Sequence, residues 1–369
     1  MKKKVLFVLD RMVMGGVEVL LLDILNSLDS KKYNITVMTL FDGGELKHEL
    51  PKTVKHVFLF AKQYKGIYRV LRFINPRIIY KKLISEEYDI EISFKTGMPE
   101  KIVAASRNPQ SKKIAWIHGD MDYQNFGLES HGTKKRQTDC YNKFDRIITV
   151  SEKCKTAFQN VTKTETYVEK IYNAIKPEKI VRKLDEDKNI TMDKNMVNLI
   201  TIARLHKDKG IDRLIRAFSE GYKINNKLRL HIIGNGPEED ELKKMVQELN
   251  LNEVVYFLGK QYNPYVYLRD ASIYIHSARS EPFGIVLLEA LYMGLPIVAT
   301  KSGGPEEILG NGKYGLLMEN SQEGLNGTLR NIAIDHEKFL EYSKTSKLRA
   351  NDFGMNVMME QIHRLIEEV

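Results

Sequence analysis

Cysteine is scarce in this chain of 369 residues, which contains only Cys140 and Cys154. So few cysteines exclude a disulfide framework and are typical of a reducing compartment, so a cytoplasmic location is expected. No apolar run approaches the roughly 18 residues that a membrane-spanning helix needs. The basic start is followed by only the short apolar run 5–9, too short for a signal peptide. Short-period repeats and low-complexity tracts are also missing, which argues against solenoids and disordered segments.

What is present is an ordinary globular composition, with 43% hydrophobic and 28% charged residues. At about 100–200 residues per domain, the length favours two domains. Residues 1–175 carry 30 Lys and Arg against 20 Asp and Glu, so the net charge of +9 lies entirely in this half. A basic half indicates a polyanionic partner, which could be nucleic acid, anionic lipid or a phosphorylated substrate.

Short apolar segments rich in β-branched residues alternate with helical periodicity, an order that predicts doubly wound α/β sheets. The predicted strands form one series at 5–9, 35–40, 90–94, 113–117 and 146–150, and a second at 197–203, 228–234, 254–259, 273–276 and 295–300. Helices are expected near 209–224, 237–250 and 284–293. The Lys-, Asp- and Asn-rich stretch 176–196 between the series is predicted to be a linker.

The segment 280–290 has the pattern of a phosphate-binding helix start. Pro282 suits the first helical position, which would leave Glu281 in the preceding loop. The backbone N–H groups of Phe283, Gly284 and Ile285 would then lie at the positive end of the helix, where a phosphate binds.

Glu289 is a carboxylate within the otherwise apolar run 286–291 of the same segment. A buried carboxylate is normally retained with a partner, and a ribose diol would suit it. The alternative is that Glu281 only caps a helix and Glu289 lies on a narrow wet face.

Two cations, Arg204 and Lys209, follow the strand 197–203 and would suit a diphosphate, because ligands bind at strand carboxyl ends in open α/β sheets. Gly15 and Gly16 follow the first strand, but they do not form the dinucleotide fingerprint G-x-G-x-x-G. They either allow a phosphate to approach the backbone or form a plain tight turn.

His118 follows the strand 113–117 and is a candidate for holding a substrate hydroxyl or sugar. Asp120 and Asp122 form a D-x-D pattern, which is weak evidence for a metal because no clear third ligand accompanies it.

These motifs resemble the retaining glycosyltransferases of the GT-B fold, family four, of the bacterial surface-polysaccharide kind. The resemblance rests on Glu281 and Glu289 as E-x7-E, Arg204 with Lys209-Gly210, the run Gly303-Gly304-Pro305-Glu306-Glu307, Ile171-Tyr172-Asn173 and the loop Gly15-Gly16. It implies two Rossmann-like domains facing each other across a cleft. The acceptor domain would span 1–175, the nucleotide-sugar domain 176–349, and a last helix at 350–369 would pack back on the N-terminal domain.

The resemblance also implies how the donor is bound. Arg204 and Lys209 would neutralise the diphosphate without a metal or other cofactor. Glu289 would bind the ribose and Glu281 the sugar hydroxyls, with the base near 259–262.

The remaining roles complete the expected reaction. Gly15 and Gly16 would approach the diphosphate from the other domain, and His118 would line the sugar site near the acceptor. A hexose or N-acetylhexosamine would pass, with retention of α configuration, from a nucleotide-diphosphate sugar to a glycan or polyprenyl-diphosphate-linked acceptor. UDP is the family's frequent nucleotide, and capsule, exopolysaccharide or cell-wall glycan synthesis is the implied context.

The segment 62–82 has seven basic and no acidic residues, interleaved with aromatic and aliphatic ones. Lys62, Lys65, Arg69 and Arg72 fall at helical spacing, which predicts a basic amphipathic helix. It would hold the enzyme peripherally on the anionic inner face of the cell membrane, unless it is an ordinary packed helix with a charged face.

Two other functions fit parts of the pattern. A nucleotide-sugar epimerase can share the two-domain fold, although the basic, aromatic N-terminal half argues against it. A nucleic-acid-binding protein would use the basic half, but it would leave Glu289 and the phosphate loop unexplained, and no nucleic-acid-binding signature appears. We therefore expect no nucleic-acid partner.

Overall fold

The computed structural model describes residues 2–64, 66–71, 73–84, 86–125, 127–186 and 192–368. The chain divides into two compact units. The first unit contains the residues up to Asn173 together with those from Met355 onwards, and the second contains Ala174–Gly354.

The first unit is built around a seven-stranded parallel sheet in the order β3-β2-β1-β4-β5-β6-β7. Its strands are β1 (Lys3–Leu9), β2 (Tyr33–Phe41), β3 (Lys55–Phe60), β4 (Ile90–Ser93), β5 (Lys112–Ile117), β6 (Arg146–Thr149) and β7 (Val168–Lys170). Its helices are α1 (Gly16–Leu25), α2 (Ile67–Leu71), α3 (Pro76–Leu83), α4 (Met98–Val103), α5 (Leu128–His131), α6 (Lys134–Tyr141) and α7 (Glu152–Thr162), with the last helix of the chain described below.

The second unit repeats this architecture with a six-stranded parallel sheet in the order β10-β9-β8-β11-β12-β13. Its strands are β8 (Val197–Ile202), β9 (Leu228–Ile233), β10 (Val255–Gly259), β11 (Ile273–His276), β12 (Ile297–Thr300) and β13 (Leu316–Met318). Its helices are α8 (Pro177–Glu186), α9 (Ile211–Ile224), α10 (Glu239–Glu248), α11 (Tyr265–Asp270), α12 (Ile285–Tyr292), α13 (Gly304–Ile308), α14 (Gln322–Ile334) and α15 (Ser343–Asn351).

The chain returns to the first unit at its end. Helix α16 (Met355–Glu368) belongs to that unit and follows α15 after a short break. Lys3 donates a hydrogen bond to the carbonyl of Ile366 at 2.9 Å, and the rings of Tyr33 and His363 stack with centroids 6.0 Å apart. The predicted fold, two Rossmann-like parallel sheets with a last helix that crosses back, is confirmed.

The strand order places one topological switch point in each sheet. β1 lies beside β4 in the first sheet, and β8 lies beside β11 in the second. Connections leave these neighbouring strands in opposite directions, so a crevice forms at their carboxyl ends. Functional side chains are therefore expected in the loops after β1, β4, β8 and β11.

The central strands form the hydrophobic core, which explains why they were readable in the sequence. Val5 to Leu9 of β1 are at most 1% exposed, and strands buried on both faces read as continuous apolar runs. The strands β3, β7 and β13 were not predicted. All three lie at sheet edges, and β7 and β13 are only three residues long.

Two predictions about local structure were wrong. The expected linker 176–196 contains the helix α8, whose Ile180 is buried. The segment 62–82 contains two short helices, α2 and α3, rather than one. Pro76 starts α3, and the side chain of Asn75 accepts a hydrogen bond from the Arg77 N–H at 3.0 Å, so a new helix is capped at this point. Lys65 and Arg72 lie outside the described residues.

In the described ranges, no helix is both long and apolar enough to cross a membrane.

Candidate functional site

The loop that precedes α12 carries the expected phosphate-binding amides, although the helix starts later than predicted. α12 begins at Ile285 rather than at Pro282, because Gly284 adopts a left-handed φ of 101° that helical residues do not have. Glu281 forms a β-bridge with Gly303, which fixes the loop. In the part of the chain that the structure describes, no acceptor is found for the N–H groups of Gly284 and Ile285. They remain available to an anion at the helix N-terminus.

Lys209 and Glu281, predicted separately, meet at the switch point of the second sheet. Lys209 Nζ lies 2.9 Å from Glu281 Oε2, and His276 Nε2 lies 3.2 Å from the same oxygen. The side chains are 18%, 13% and 6% exposed, respectively. The turn after β8 and the loop after β11 therefore present one partly buried cluster of charge.

The ion pair fixes the protonation of this cluster. Burial alone would raise the pKa of Glu281, but the charge of Lys209 and the nearby His276 hold it well below its usual range. Burial alone would lower the pKa of Lys209, but Glu281 and Asp208 raise it. Glu281 is thus a carboxylate and Lys209 an ammonium ion at neutral pH. Because an ammonium group has three donors, Lys209 can hold Glu281 and still donate to a phosphate oxygen.

Arg204 and Gly210 flank Lys209 in the turn after β8. Arg204 is exposed, and among the described residues no acidic side chain pairs with it. Gly210 has a φ of 63°, and a Cβ atom there would lie 2.2 Å from the carbonyl oxygen of Ser277. The glycine lets the turn carrying Lys209 pass directly against the strand end that leads to Glu281.

Glu289 is half-buried on α12 and has a protein partner, which the sequence did not show. The hydroxyl of Tyr265, at the start of α11, donates to Glu289 Oε1 at 2.7 Å. Tyr265 is only 5% exposed, so this contact orients the carboxylate. The expectation that the helix is mostly buried holds for Leu287 and Leu288, which are fully buried.

The candidates of the first unit lie at the carboxyl end of its own sheet. Gly15 caps α1 in an extended conformation, and Gly16 is the first residue of the helix. Glu18, which is 2% exposed, pairs with Lys95 after β4 at 2.6 Å. A Cβ atom on Gly15 would lie 2.6 Å from Glu18 Oε2, so the glycine makes room for this ion pair.

His118 follows β5 and has buried ring nitrogens that find no hydrogen-bond partner among the described residues. The rings of Phe94 and Trp116 lie beside it, with centroids 4.8 and 6.2 Å away. Burial lowers the pKa of His118 to about 3, and the charge of Lys95 acts in the same direction. The imidazole is therefore neutral and can exchange a hydrogen bond with an incoming hydroxyl.

We expect the His118 ring to show no protonation between pH 5 and 8. Its folded pKa lies below the unfolded value of about 6.5, so this group destabilises the folded chain as the pH falls from about 6.5 towards 3. The measurement is the pH dependence of the imidazole C–H shifts, assigned by comparison with His118→Asn. A titration midpoint near 6.5 would contradict the buried, neutral assignment.

The D-x-D pattern has a structural role in this fold. Asp120 Oδ1 accepts hydrogen bonds from the N–H groups of Asp122 and Tyr123, at 3.0 and 3.4 Å. Side chains of Asp commonly stabilise turns in this way. Across the described ranges, no three His, Cys, Asp or Glu side chains are grouped to hold a metal ion.

Sequence reasoning missed four residues of the three contacts described above: Glu18, Lys95, Tyr265 and His276. Two of them had a usable signal. His276 ends a predicted strand, and Glu18 is an acid among the apolar residues of α1. Lys95 and Tyr265 contact partners 77 and 24 positions away, which no local pattern reports.

Comparison with known families divides the chain at the same region as the fold. Residues 14–179 match Glycosyltransferase Family 4, and residues 182–349 match Glycosyl transferases group 1.

Individual relatives are similar along nearly the whole chain. The N-acetylgalactosamine-N,N'-diacetylbacillosaminyl-diphospho-undecaprenol 4-alpha-N-acetylgalactosaminyltransferase of Campylobacter jejuni is 28% identical over 92% of this chain and 92% of its own. An uncharacterized glycosyltransferase of Haemophilus influenzae is 25% identical over 98% of this chain and 99% of its own.

Solved structures share the fold. The crystal structure of Anabaena HepE in complex with UDP and glucose has a TM-score of 0.78 at 20% identity, covering 100% of both chains. The two Rossmann-like sheets and the two matched domains together show that this chain is a glycosyltransferase of the GT-B fold, with family 4 and group 1 domains.

Proposed function

We propose that this glycosyltransferase moves a hexose or N-acetylhexosamine from a UDP-sugar to a glycan or polyprenyl-diphosphate-linked acceptor, with retention of the α configuration. The Campylobacter jejuni relative is named for a diphospho-undecaprenol acceptor, and HepE was solved with UDP and glucose. Both support this assignment of donor and acceptor. Bacterial surface or cell-wall glycan synthesis is the pathway that fits them.

The observation that carries the proposal is the cluster of Lys209 with Glu281 beside the amides of Gly284 and Ile285. As the bond between the anomeric carbon and the diphosphate breaks, negative charge grows on the departing diphosphate. Lys209, with Arg204 nearby in sequence, supplies fixed positive charge, and the amides supply dipoles. Glu281 accepts hydrogen bonds from the sugar hydroxyls.

We propose that this charge replaces a metal ion, so that the reaction needs no cofactor. Transfer is then expected to continue in the presence of EDTA at an unchanged rate. Full loss of transfer in EDTA, with recovery on adding magnesium or manganese, would refute this part of the proposal.

The first test is a thermal-shift comparison of UDP-, GDP- and ADP-sugars. At a ligand concentration of about 100 times Kd, binding stabilises the folded protein by about 2.7 kcal/mol. A shift with a UDP-sugar is expected, and proton NMR of the transfer product should show an α linkage. Conversion of the donor to an isomer without an acceptor would instead identify an epimerase. Binding of oligonucleotide but not of any nucleoside diphosphate would identify a nucleic-acid-binding protein.

Glu289→Gln is expected to lower kcat/KM by one to two decades. One charge-assisted hydrogen bond to the ribose contributes about 1.5–3 kcal/mol. The loss should shrink when the donor carries 2'-deoxyuridine, because the wild type then lacks the same contact. The control is Glu241→Gln, which removes the same negative charge from an exposed residue of α10. An equal loss of kcat/KM in both variants would show that Glu289 does not bind the ribose.

We also propose that the enzyme associates peripherally with the inner face of the membrane through the segment 62–82. Four large apolar side chains of this one segment are well exposed: Tyr64, Val70, Phe73 and Ile78 are 65%, 61%, 78% and 63% exposed. Exposed apolar groups among basic residues suit an anionic membrane surface. No nucleic-acid partner is proposed.

A further inference from the structure

The first unit contains a cavity of about 460 Å³ that the proposed reaction does not use. It lies among the start of α3, the segment after α4, the start of β5 and the loop before β6. Because β5 is parallel to its neighbours, this is the edge where the strands begin. Gly16 and His118 are at the opposite, carboxyl edge of the same sheet.

The cavity is lined by four cations and no acidic residue. Arg77, Arg107, Lys113 and Lys143 all line it. Three of them are exposed and Lys113 is half-buried. Within the described part of the chain, none of these four side chains takes part in a salt bridge. The like charges of these cations repel one another around one concavity, and a bound anion would offset this repulsion.

A buried hydrogen-bond network holds one wall of the cavity in place. Glu91 of β4 is fully buried, and its Oε1 accepts hydrogen bonds from Tyr80 of α3 at 2.9 Å and from Ser106 after α4 at 2.6 Å. Ser106 itself lines the cavity. Three elements are thereby tied together, so the cations project from a fixed frame. Preorganisation of this kind reduces the cost of ordering on binding.

Two exposed apolar side chains are close in sequence to residues that line the cavity. Phe73 precedes the capping Asn75 by two residues, and Ile78 follows the cavity residue Arg77 directly. Both side chains are largely exposed to water, and a lipid would cover that surface with hydrocarbon while it presents a phosphate to the cavity.

We propose that this cavity binds the phosphate of an anionic membrane phospholipid, while Phe73 and Ile78 enter the interface beside it. Arginine matches phosphate oxygens with paired donors, and lysine adds point charge. The inference rests on the proposed membrane contact and specifies which group of the lipid is recognised and where.

The test is co-sedimentation of the full chain with phosphatidylcholine vesicles, with and without phosphatidylglycerol. The double variant Arg107→Ala/Lys143→Ala is expected to bind the anionic vesicles about 30-fold more weakly than the wild type, the effect of two basic side chains near such a surface. Lys134→Ala/Lys135→Ala removes the same charge from exposed positions of α6 that do not line the cavity, and should weaken binding less than about threefold. Phe73→Ser/Ile78→Ser should also weaken binding. An unchanged thermal shift with UDP in each variant confirms folding.

The outcomes separate the two proposals. Suppose that the wild type binds anionic vesicles and that Lys134→Ala/Lys135→Ala weakens binding as much as Arg107→Ala/Lys143→Ala. The cavity is then not the lipid site, but the membrane contact stands. If the wild type binds anionic and neutral vesicles equally, the preference for an anionic surface fails and the cavity inference fails with it. If the wild type binds neither kind of vesicle, the membrane contact fails as well. Binding of glycerol phosphate in solution without binding to either vesicle would also overturn the lipid assignment.

Discussion

Lys209→Met is expected to reduce kcat/KM for the sugar donor by about 10²–10³-fold, the loss seen when one preorganised donor to developing negative charge is removed. The same substitution leaves Glu281 partly buried without its cation. Breaking a buried ion pair by removing one partner costs about 3–5 kcal/mol, and the 13% exposure of Glu281 favours the lower end. Activity and urea unfolding measure the two effects separately.

A second substitution separates stability from catalysis. In Lys209→Met/Glu281→Gln the uncompensated charge is gone, so much of the unfolding free energy should return while transfer stays low. Lys207→Met is the matched control, since Lys207 is an exposed lysine in the same turn. If Lys209→Met loses no more activity than Lys207→Met, Lys209 does not act on the diphosphate.

Gly304→Ala is expected to disrupt the donor loop through the backbone. A Cβ atom at this position would lie 2.1 Å from the carbonyl oxygen of Phe283 and 2.3 Å from its Cα. Neither atom can move as a flexible side chain would, so the loop carrying Glu281 must shift. Overpacking of this kind costs about 1–3 kcal/mol, and displacement of a positioned group by about 1 Å can cost 10²-fold in rate.

The control for this prediction is Gly327→Ala, in the middle of α14. A Cβ atom there meets nothing within 4 Å. Alanine should stabilise the helix by about 0.5–1 kcal/mol and leave transfer unchanged. Urea unfolding and kcat/KM are measured for both variants. Near-normal activity and stability in Gly304→Ala would show that the loop tolerates displacement and does not depend on this close approach.

Most central strands and the positions of the charged loops could be predicted from the sequence because of one physical constraint. A strand buried on both faces must be apolar along its length, so β1, β8 and β11 are visible as runs. The residue types that follow such runs, Lys209 after β8 and Glu281 after β11, then identify candidates without any long-range information.

Edge strands and interrupted helices were harder to predict because their determinants are weaker. Strand β3 lies at a sheet edge and its residues are only half-buried or exposed, so burial constrains its sequence less than that of a central strand. In 62–82 the basic spacing indicated one helix, but Asn75 and Pro76 restart it. A residue pattern that fits a helical face does not override a proline that cannot continue the hydrogen-bond ladder.

By itself, the sequence determined the two-sheet fold, the basic first half and the loops that carry glycine, lysine and carboxylate residues. These features were visible because burial and backbone conformation constrain the residue type at each position separately. Only the tertiary structure decided which side chains meet: His276 and Lys209 on Glu281, Tyr265 on Glu289, and Lys95 on Glu18. Most of these contacts join residues from different elements, such as a helix start, a loop and a strand end, that are separated along the chain. Their partners depend on strand order in space, which separation along the chain does not specify.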